Sequence, residues 1–287
     1  MVAIPLPHVR HSHYSGSQSS RLQRNDWLLQ YRKSITSQLG EDGIIEKIIE
    51  LLPDLNHWCV EFGAGDGKHL SNTYNLIANC GWSSVQLENN VEKYQQLSNR
   101  YSDRSNVLCF NHFVHYEGEH TLDRILQQTP IPFDFDLLSI DVDGLDYHLW
   151  ESLTLYRPKV LIIEFNPTIP NQVEFIQPKD LQCQQGSSLL ALINLGKRKG
   201  YELICATDWN AFFVDHQYFE YFEIADNSIW QLHQNTKYLT YVFQLFDGTI
   251  VVQGCNRLLW HNIELDLDVV QQEIQVLPEE WRTYPGI

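Results

Sequence analysis

Basic residues are scarce in this chain of 287 residues: 20 Lys and Arg stand against 36 Asp and Glu, a formal charge of −16. A surface of that sign repels phosphate backbones and anionic lipid, so neither nucleic acid nor a membrane surface is an expected partner. Long apolar runs are missing as well. The longest spans about five residues, far short of the ~20 that cross a bilayer. No signal-peptide-like apolar segment opens the chain, and no internal repeat or low-complexity tract interrupts it. The six cysteines, at 59, 80, 109, 183, 205 and 255, include no C-x-x-C pair. Several sit in apolar, strand-like runs such as Trp58-Cys59-Val60 and Ile204-Cys205-Ala206. They read as reduced, buried thiols, which points to a cytoplasmic protein.

What is present is enough for a large core. Apolar residues make up 43% of the chain and aromatics 12%, with eight Trp, which excludes wholesale disorder. Residues 1–24 mix Pro, Ser, His and Arg without periodicity and read as a mobile arm. From 25 to 215, strand and helix patterns alternate. Strands are expected over 57–62, 83–88, 106–114, 135–141 and 159–165. Helices are expected over 44–52, 71–80, 91–101, 121–129, 147–153 and 187–199, the last capped by Ser187 and stopped by Gly200. Residues 201–207 and 211–214, joined by Asp208-Trp209-Asn210, suggest an antiparallel hairpin. The alternation implies an α/β fold, a mostly parallel sheet with helices on both faces. Residues 216–287 read as an accessory extension on the same domain, with a hairpin around Asp247-Gly248.

The segment Val60-Glu61-Phe62-Gly63-Ala64-Gly65-Asp66-Gly67 joins the first strand to the first following helix. Glycines there allow a tight turn and close approach of backbone amides to a ligand. Glu61 ends the first strand and Glu88 the second, where a carboxylate accepts hydrogen bonds from a ribose. Acids beside the turn suit a cationic amino-acid end and repel a pyrophosphate, which favours S-adenosylmethionine over NAD. A second cluster, Asp141-Val142-Asp143-Gly144-Leu145-Asp146-Tyr147-His148, sits at the carboxyl end of the fourth strand, beside Glu164 and Asn166 from the fifth. Ligands bind outside this edge of an open α/β sheet, and such oxygen donors suit a hard divalent cation. Asp143 or His148 would alternatively act as general base, or Asp143 and Asp146 would simply cap the next helix. A third patch, His112, His115, Glu117, Glu119 and His120, reads as a loop near the cofactor. Trp209, Asn210, Phe212 and the stretch 166–171 are placed to shape a substrate pocket or to pack in the core.

The order E-F-G-A-G-D-G, then Gln86-Leu87-Glu88, then a fourth strand ending in Asp, resembles the class I methyltransferases. The Gly40-Glu41-Asp42-Gly43 lead-in, with Ile140-Asp141-Val142-Asp143-Gly144 and Ile163-Glu164-Phe165-Asn166, looks most like their FkbM-type branch. Over about residues 35–215, the resemblance implies a Rossmann-like sheet with a reversed last strand and S-adenosylmethionine over the first two strands. It implies that Glu61, Gly63 and Gly65 hold the methionine part and backbone, Glu88 the ribose, and Asn111 or His112 the adenine side, with Asp66 also among the cofactor-binding residues. It is also similar to catechol-type O-methyltransferases, which implies Asp141, Asp143, Glu164 and Asn166 around Mg2+ or another divalent cation. Glu-x-Asn stands here where that group has Asp-Asn. Asp141, Asp143 and His148 are then the catalytic candidates, acting on oxygen of a small-molecule acceptor. Two readings compete. One is a metal hydrolase of ureohydrolase-like chemistry, although the chain has no D-x-H-x-D segment. The other is a noncatalytic binding protein that keeps the fold. The aromatic C-terminal segment suits either a cap over the pocket or a homodimer contact.

Overall fold

The computed structural model describes residues 24–258 and 263–282. The arm expected over 1–24 lies, but for its last residue, outside them. Seven strands form the central sheet: β1 (Trp58–Phe62), β2 (Ser83–Glu88), β3 (Val107–Asn111), β4 (Leu137–Ile140), β5 (Val160–Glu164), β6 (Tyr201–Ala206) and β7 (Asn210–Asp215). Their order is β3-β2-β1-β4-β5-β7-β6. β1 to β5 pair in parallel, and β7 runs antiparallel to both β5 and β6. The expected mostly parallel sheet with a reversed last strand is therefore what the chain forms.

Alternation along each strand sorts its side chains between two cores. Val60, Phe62, Leu138, Ile140, Leu161 and Ile163 pack under one set of helices. These are α4 (Leu122–Leu126), α5 (Asp146–Ser152) and α6 (Leu189–Lys199). Cys59, Leu137, Val160 and Ile162 pack on the other face, under α1 (Glu41–Leu51), α2 (Tyr74–Cys80) and α3 (Val91–Arg100). Both faces are buried, which is why the strands read as apolar runs instead of clean alternation.

Local chemistry corrects several boundaries. The second helix begins at Tyr74 and not at residue 71, because Ser71 and Thr73 turn their hydroxyls to Glu61. The cap of α6 is Ser188, whose side chain accepts from the Ala191 N–H. Ser187 Oγ instead accepts from the Gln177 N–H. After β7, a 3-10 helix (His216–Phe222) buries Phe222 in the core. The Trp27 indole N–H donates to the Phe222 carbonyl across 195 residues. The hairpin expected around Asp247-Gly248 is present as β8 (Thr240–Gln244) and β9 (Ile250–Gly254). Tyr241, Val242 and Phe243 on β8 are exposed.

Candidate functional site

The carboxyl ends of β1, β2, β4 and β5 open into a cavity of about 810 Å³. Its floor is the turn after β1. Gly63 and Gly65 both have positive φ, +74° and +58°. A Cβ on Gly63 would lie 1.8 Å from the Asp141 carbonyl oxygen, so only glycine lets the β1 turn and the β4 turn touch. A Cβ on Gly65 would meet nothing within 4 Å. That glycine is a left-handed turn facing open cavity.

The acids at this end are occupied by protein donors. Glu61 is buried and accepts from Ser71 Oγ (2.6 Å), Thr73 Oγ1 (2.7 Å) and the Asn72 N–H (2.8 Å). Burial pushes its carboxyl up, and these hydrogen bonds pull it back. Glu88 accepts from the Gly65 N–H at 2.8 Å and from the Asn90 N–H at 2.7 Å, so it ties the glycine turn to the end of β2. Asp66 accepts from the Lys68 and His69 N–H groups and pairs with Arg100 at 2.8 Å. Its carboxyl is held below the usual range by those hydrogen bonds and by Arg100, against a desolvation that acts the other way. Glu61, Gly63, Gly65, Asp66, Glu88 and His112 all line the cavity. Asn111 is outside the lining, and its amide donates to the Glu88 and Asn89 carbonyls. It fixes the chain next to Glu88.

The second half of the cavity is built from other carboxylates. Asp141, Asp143 and Glu164 each offer an oxygen within 4.8 Å of the others. Among the described residues, no side-chain or backbone donor and no cation reaches any of the three. Burial, then Asp146 and Asp143, push the Asp141 carboxyl up to about 7. Burial, then Asp141 and its neighbours, push Glu164 well above the ordinary value. Asp143 is exposed and held at φ +55°, a conformation that Asp tolerates better than most residues.

The remaining candidates fall elsewhere. Asp146 is buried, and its oxygens accept from the Val142 N–H (3.0 Å) and the Gly144 N–H (2.8 Å). It closes the 142–146 turn, and no side chain caps α5. Asn166 does not join the three acids. Its Oδ1 accepts from the Thr168 N–H and hydroxyl, and its Nδ2 donates to the Gln185 carbonyl, so its donor atom for a cation is already taken. His148 is buried outside the lining. Its Nε2 faces the Gln177 carbonyl at 2.7 Å, which accepts and so fixes that nitrogen as the donor. The His112 and His120 rings are 6.1 Å apart, and no group of three metal-binding side chains forms in that patch among the described residues.

Some wall residues carry no motif. Gln38 enters because Asp42 Oδ2 accepts from the N–H groups of Ile35, Thr36 and Ser37 and fixes the loop before α1. Lys93 and Gln96 of α3 also line it, as do Leu181, Cys183 and Gln184. Trp209 also lines the cavity, as its position in the hairpin turn suggested. Its indole N–H donates to the Tyr238 hydroxyl at 3.1 Å.

No protein-family model matches the chain, and no curated protein matches it. Solved structures resemble it at low identity. The CurJ carbon methyltransferase is 10% identical, with a TM-score of 0.43 over 61% of this chain and 52% of that one. The citrinin polyketide synthase CMeT domain is 11% identical, with a TM-score of 0.40 over 61% and 51%. The N-terminal domain of EvdMO1, solved with SAH bound, is 13% identical, with a TM-score of 0.37 over 61% and 79%. The chain thus spans about half the length of the first two.

Proposed function

We propose that this chain is an S-adenosylmethionine-dependent methyltransferase that methylates oxygen of a small-molecule acceptor with the help of a divalent cation. The observation that carries the reading is one cavity with two unlike ends. One end has an open glycine turn tied to Glu88. The other has three carboxylates without protein partners.

The glycine end fits the donor. Gly65 leaves room for a ligand against the backbone. Glu88 spends one acceptor site per oxygen on backbone N–H groups. A carboxylate offers about four such sites, so capacity remains for ribose hydroxyls. Glu61 supports this end indirectly, by holding the 71–73 segment. The acid end fits a hard cation: Asp141, Asp143 and Glu164 would hold it, while Asn166 would not. When bound, S-adenosylmethionine supplies an activated methyl group on a sulfonium, and a divalent cation polarises an acceptor hydroxyl. Asp143, exposed at the rim, offers the hydroxyl proton a path to solvent. The contact of Gly63 with the Asp141 carbonyl keeps the two ends adjacent, as a methyl transfer at about 3–3.5 Å requires.

Calorimetry with S-adenosylhomocysteine tests the reading. The wild-type chain is expected to bind it, and Glu88→Ala to weaken binding at least about tenfold, the effect of one lost charged hydrogen-bond acceptor. A wild-type chain that does not bind, or a Glu88→Ala chain that binds equally well, would overturn the donor site.

A further inference from the structure

The 177–186 segment closes on itself through a single side chain. Gln177 is buried; its Nε2 donates to the Cys183 carbonyl at 2.6 Å. Its Oε1 accepts from the Gln185 N–H at 2.8 Å and the Gly186 N–H at 2.7 Å. A loop whose ends meet over its own packed side chain is a compact surface unit. Its middle supplies Leu181, Cys183 and Gln184 to the wall of the cavity, and the Cys183 carbonyl lies 3.0 Å from where a Cβ on Gly144 would stand. Gln177 itself meets the acid-bearing turn at two points. Its backbone carbonyl takes the His148 Nε2–H at 2.7 Å. Its side-chain amide packs against Gly144, so closely that a Cβ there would stand 2.7 Å from Nε2. Gly144 directly follows Asp143, and His148 sits in the first turn of α5.

We propose that Gln177 is a positioning residue for the acceptor side of the site. It closes the 177–186 loop as a wall and, through His148 and Gly144, locks that wall to the turn carrying Asp141 and Asp143. The proposal rests on the acid end holding a cation, as argued above. It gives His148 a role as an orienting donor, and it explains why Asn166 faces the Gln185 carbonyl. The wall and the acid turn then move as one unit, so a cation that fixes the turn also quiets the loop.

Hydrogen exchange of the full-length chain, read on the 179–186 amides, tests this at pH 8 with and without Mg2+. Gln177→Met keeps the length of the side chain and removes its three side-chain hydrogen bonds while leaving the backbone carbonyl that meets His148. It is expected to speed exchange there about tenfold, to leave S-adenosylhomocysteine affinity within about twofold, and to abolish the slowing by Mg2+ seen in the wild type. His148→Gln, which keeps a donor, is expected to behave as wild type, and His148→Phe to behave as Gln177→Met. Unchanged exchange in Gln177→Met, or wild-type exchange indifferent to Mg2+ while Mg2+ raises the wild-type melting temperature, would overturn the proposal; a melting temperature also indifferent to Mg2+ overturns the cation site instead. A general loss of fold would show as faster exchange throughout the sheet and counts against it. Failure of the wild type to bind S-adenosylhomocysteine overturns the donor site instead, and the loop measurements still decide on Gln177.

Discussion

Glu61 and Glu88, at the ends of β1 and β2, accept hydrogen bonds on both oxygens. Asp141, Asp143 and Glu164, at the ends of the neighbouring β4 and β5, are met by no donor or cation among the described residues. All five line one cavity. The difference separates carboxylates used to build the site from carboxylates left for what enters it. A satisfied acid organises backbone, and its removal strands the donors around it. A cluster of unsatisfied acids costs stability through mutual repulsion, and is kept where a cation or a proton joins it.

The largest effect expected from this contrast is on stability. Glu61→Ala leaves two hydroxyls and one backbone N–H without their acceptor in a buried segment. At about 1 kcal/mol or more for each stranded group, a loss of about 3–4 kcal/mol is expected. Urea denaturation measures it. A change below about 0.5 kcal/mol would erase the distinction between the two sets of acids.

Mg2+ should act only through the second set. At 100 times its dissociation constant, a ligand of the folded state alone adds about 2.7 kcal/mol. Thermal melts at pH 8 are expected to rise with Mg2+ in the wild type and to stay flat in Asp143→Asn. At pH 5 the wild-type rise should shrink, because a proton then occupies Asp141, whose carboxyl is pushed up to about 7, and Glu164 is pushed in the same direction. A Glu61 variant that lost the Mg2+ response while Asp143→Asn kept it would reverse the assignment.

A smaller effect sharpens the donor end. Gly65→Ala places a Cβ in open space at φ +58°, so its cost is the left-handed backbone alone, about 1–2 kcal/mol. Calorimetry should nevertheless show a clear fall in S-adenosylhomocysteine affinity, because the methyl group projects where the ligand approaches. Full affinity in Gly65→Ala would mean the open turn faces no ligand.

The sheet was legible because its evidence is local. Short apolar runs between Gly and Pro stops fixed all seven strands in kind, and the glycine turn and the acid-rich turn carry their chemistry in consecutive residues. What escaped depends on partners distant in the chain. Ser71 and Thr73 read as the start of a helix, since nothing in the segment shows that Glu61, ten and twelve residues earlier, takes their hydroxyls. Asn166 has the right chemistry for a cation and is the local exception: its Oδ1 is taken by the N–H and hydroxyl of Thr168, two residues on, while the distant Gln185 carbonyl holds its Nδ2. Gln177 carries no motif, and only the meeting of two loops shows its use. Gln38 had a faint signal in the Gly-Glu-Asp-Gly lead-in, where Asp42 folds the preceding loop back on itself.

The smallest effect expected is one of opposite sign. Removing a charge from the unsatisfied set should stabilise the chain, whereas removing one from the satisfied set destabilises it. Unfolded carboxyls titrate near 4, while Asp141 in the folded chain is pushed up to about 7 and Glu164 well above its ordinary value. Between those limits the folded state binds more protons than the unfolded one, so stability falls as pH rises. The favourable contribution is complete below about pH 4 and is lost as pH passes the folded values, near 7 for Asp141. Glu164→Gln takes one acid out of the cluster. Without Mg2+ at pH 8 it should gain about 1 kcal/mol, kept small because the site is partly open to solvent. Its stability should also decline less steeply between pH 5 and 8, and it should no longer respond to Mg2+. Melts in metal-free buffer across that range read the first two, and melts with added Mg2+ read the third. A Glu164→Gln chain less stable than wild type at pH 8 would mean that Glu164 has a partner in the fold, and that it belongs with Glu61 among the acids that build the site.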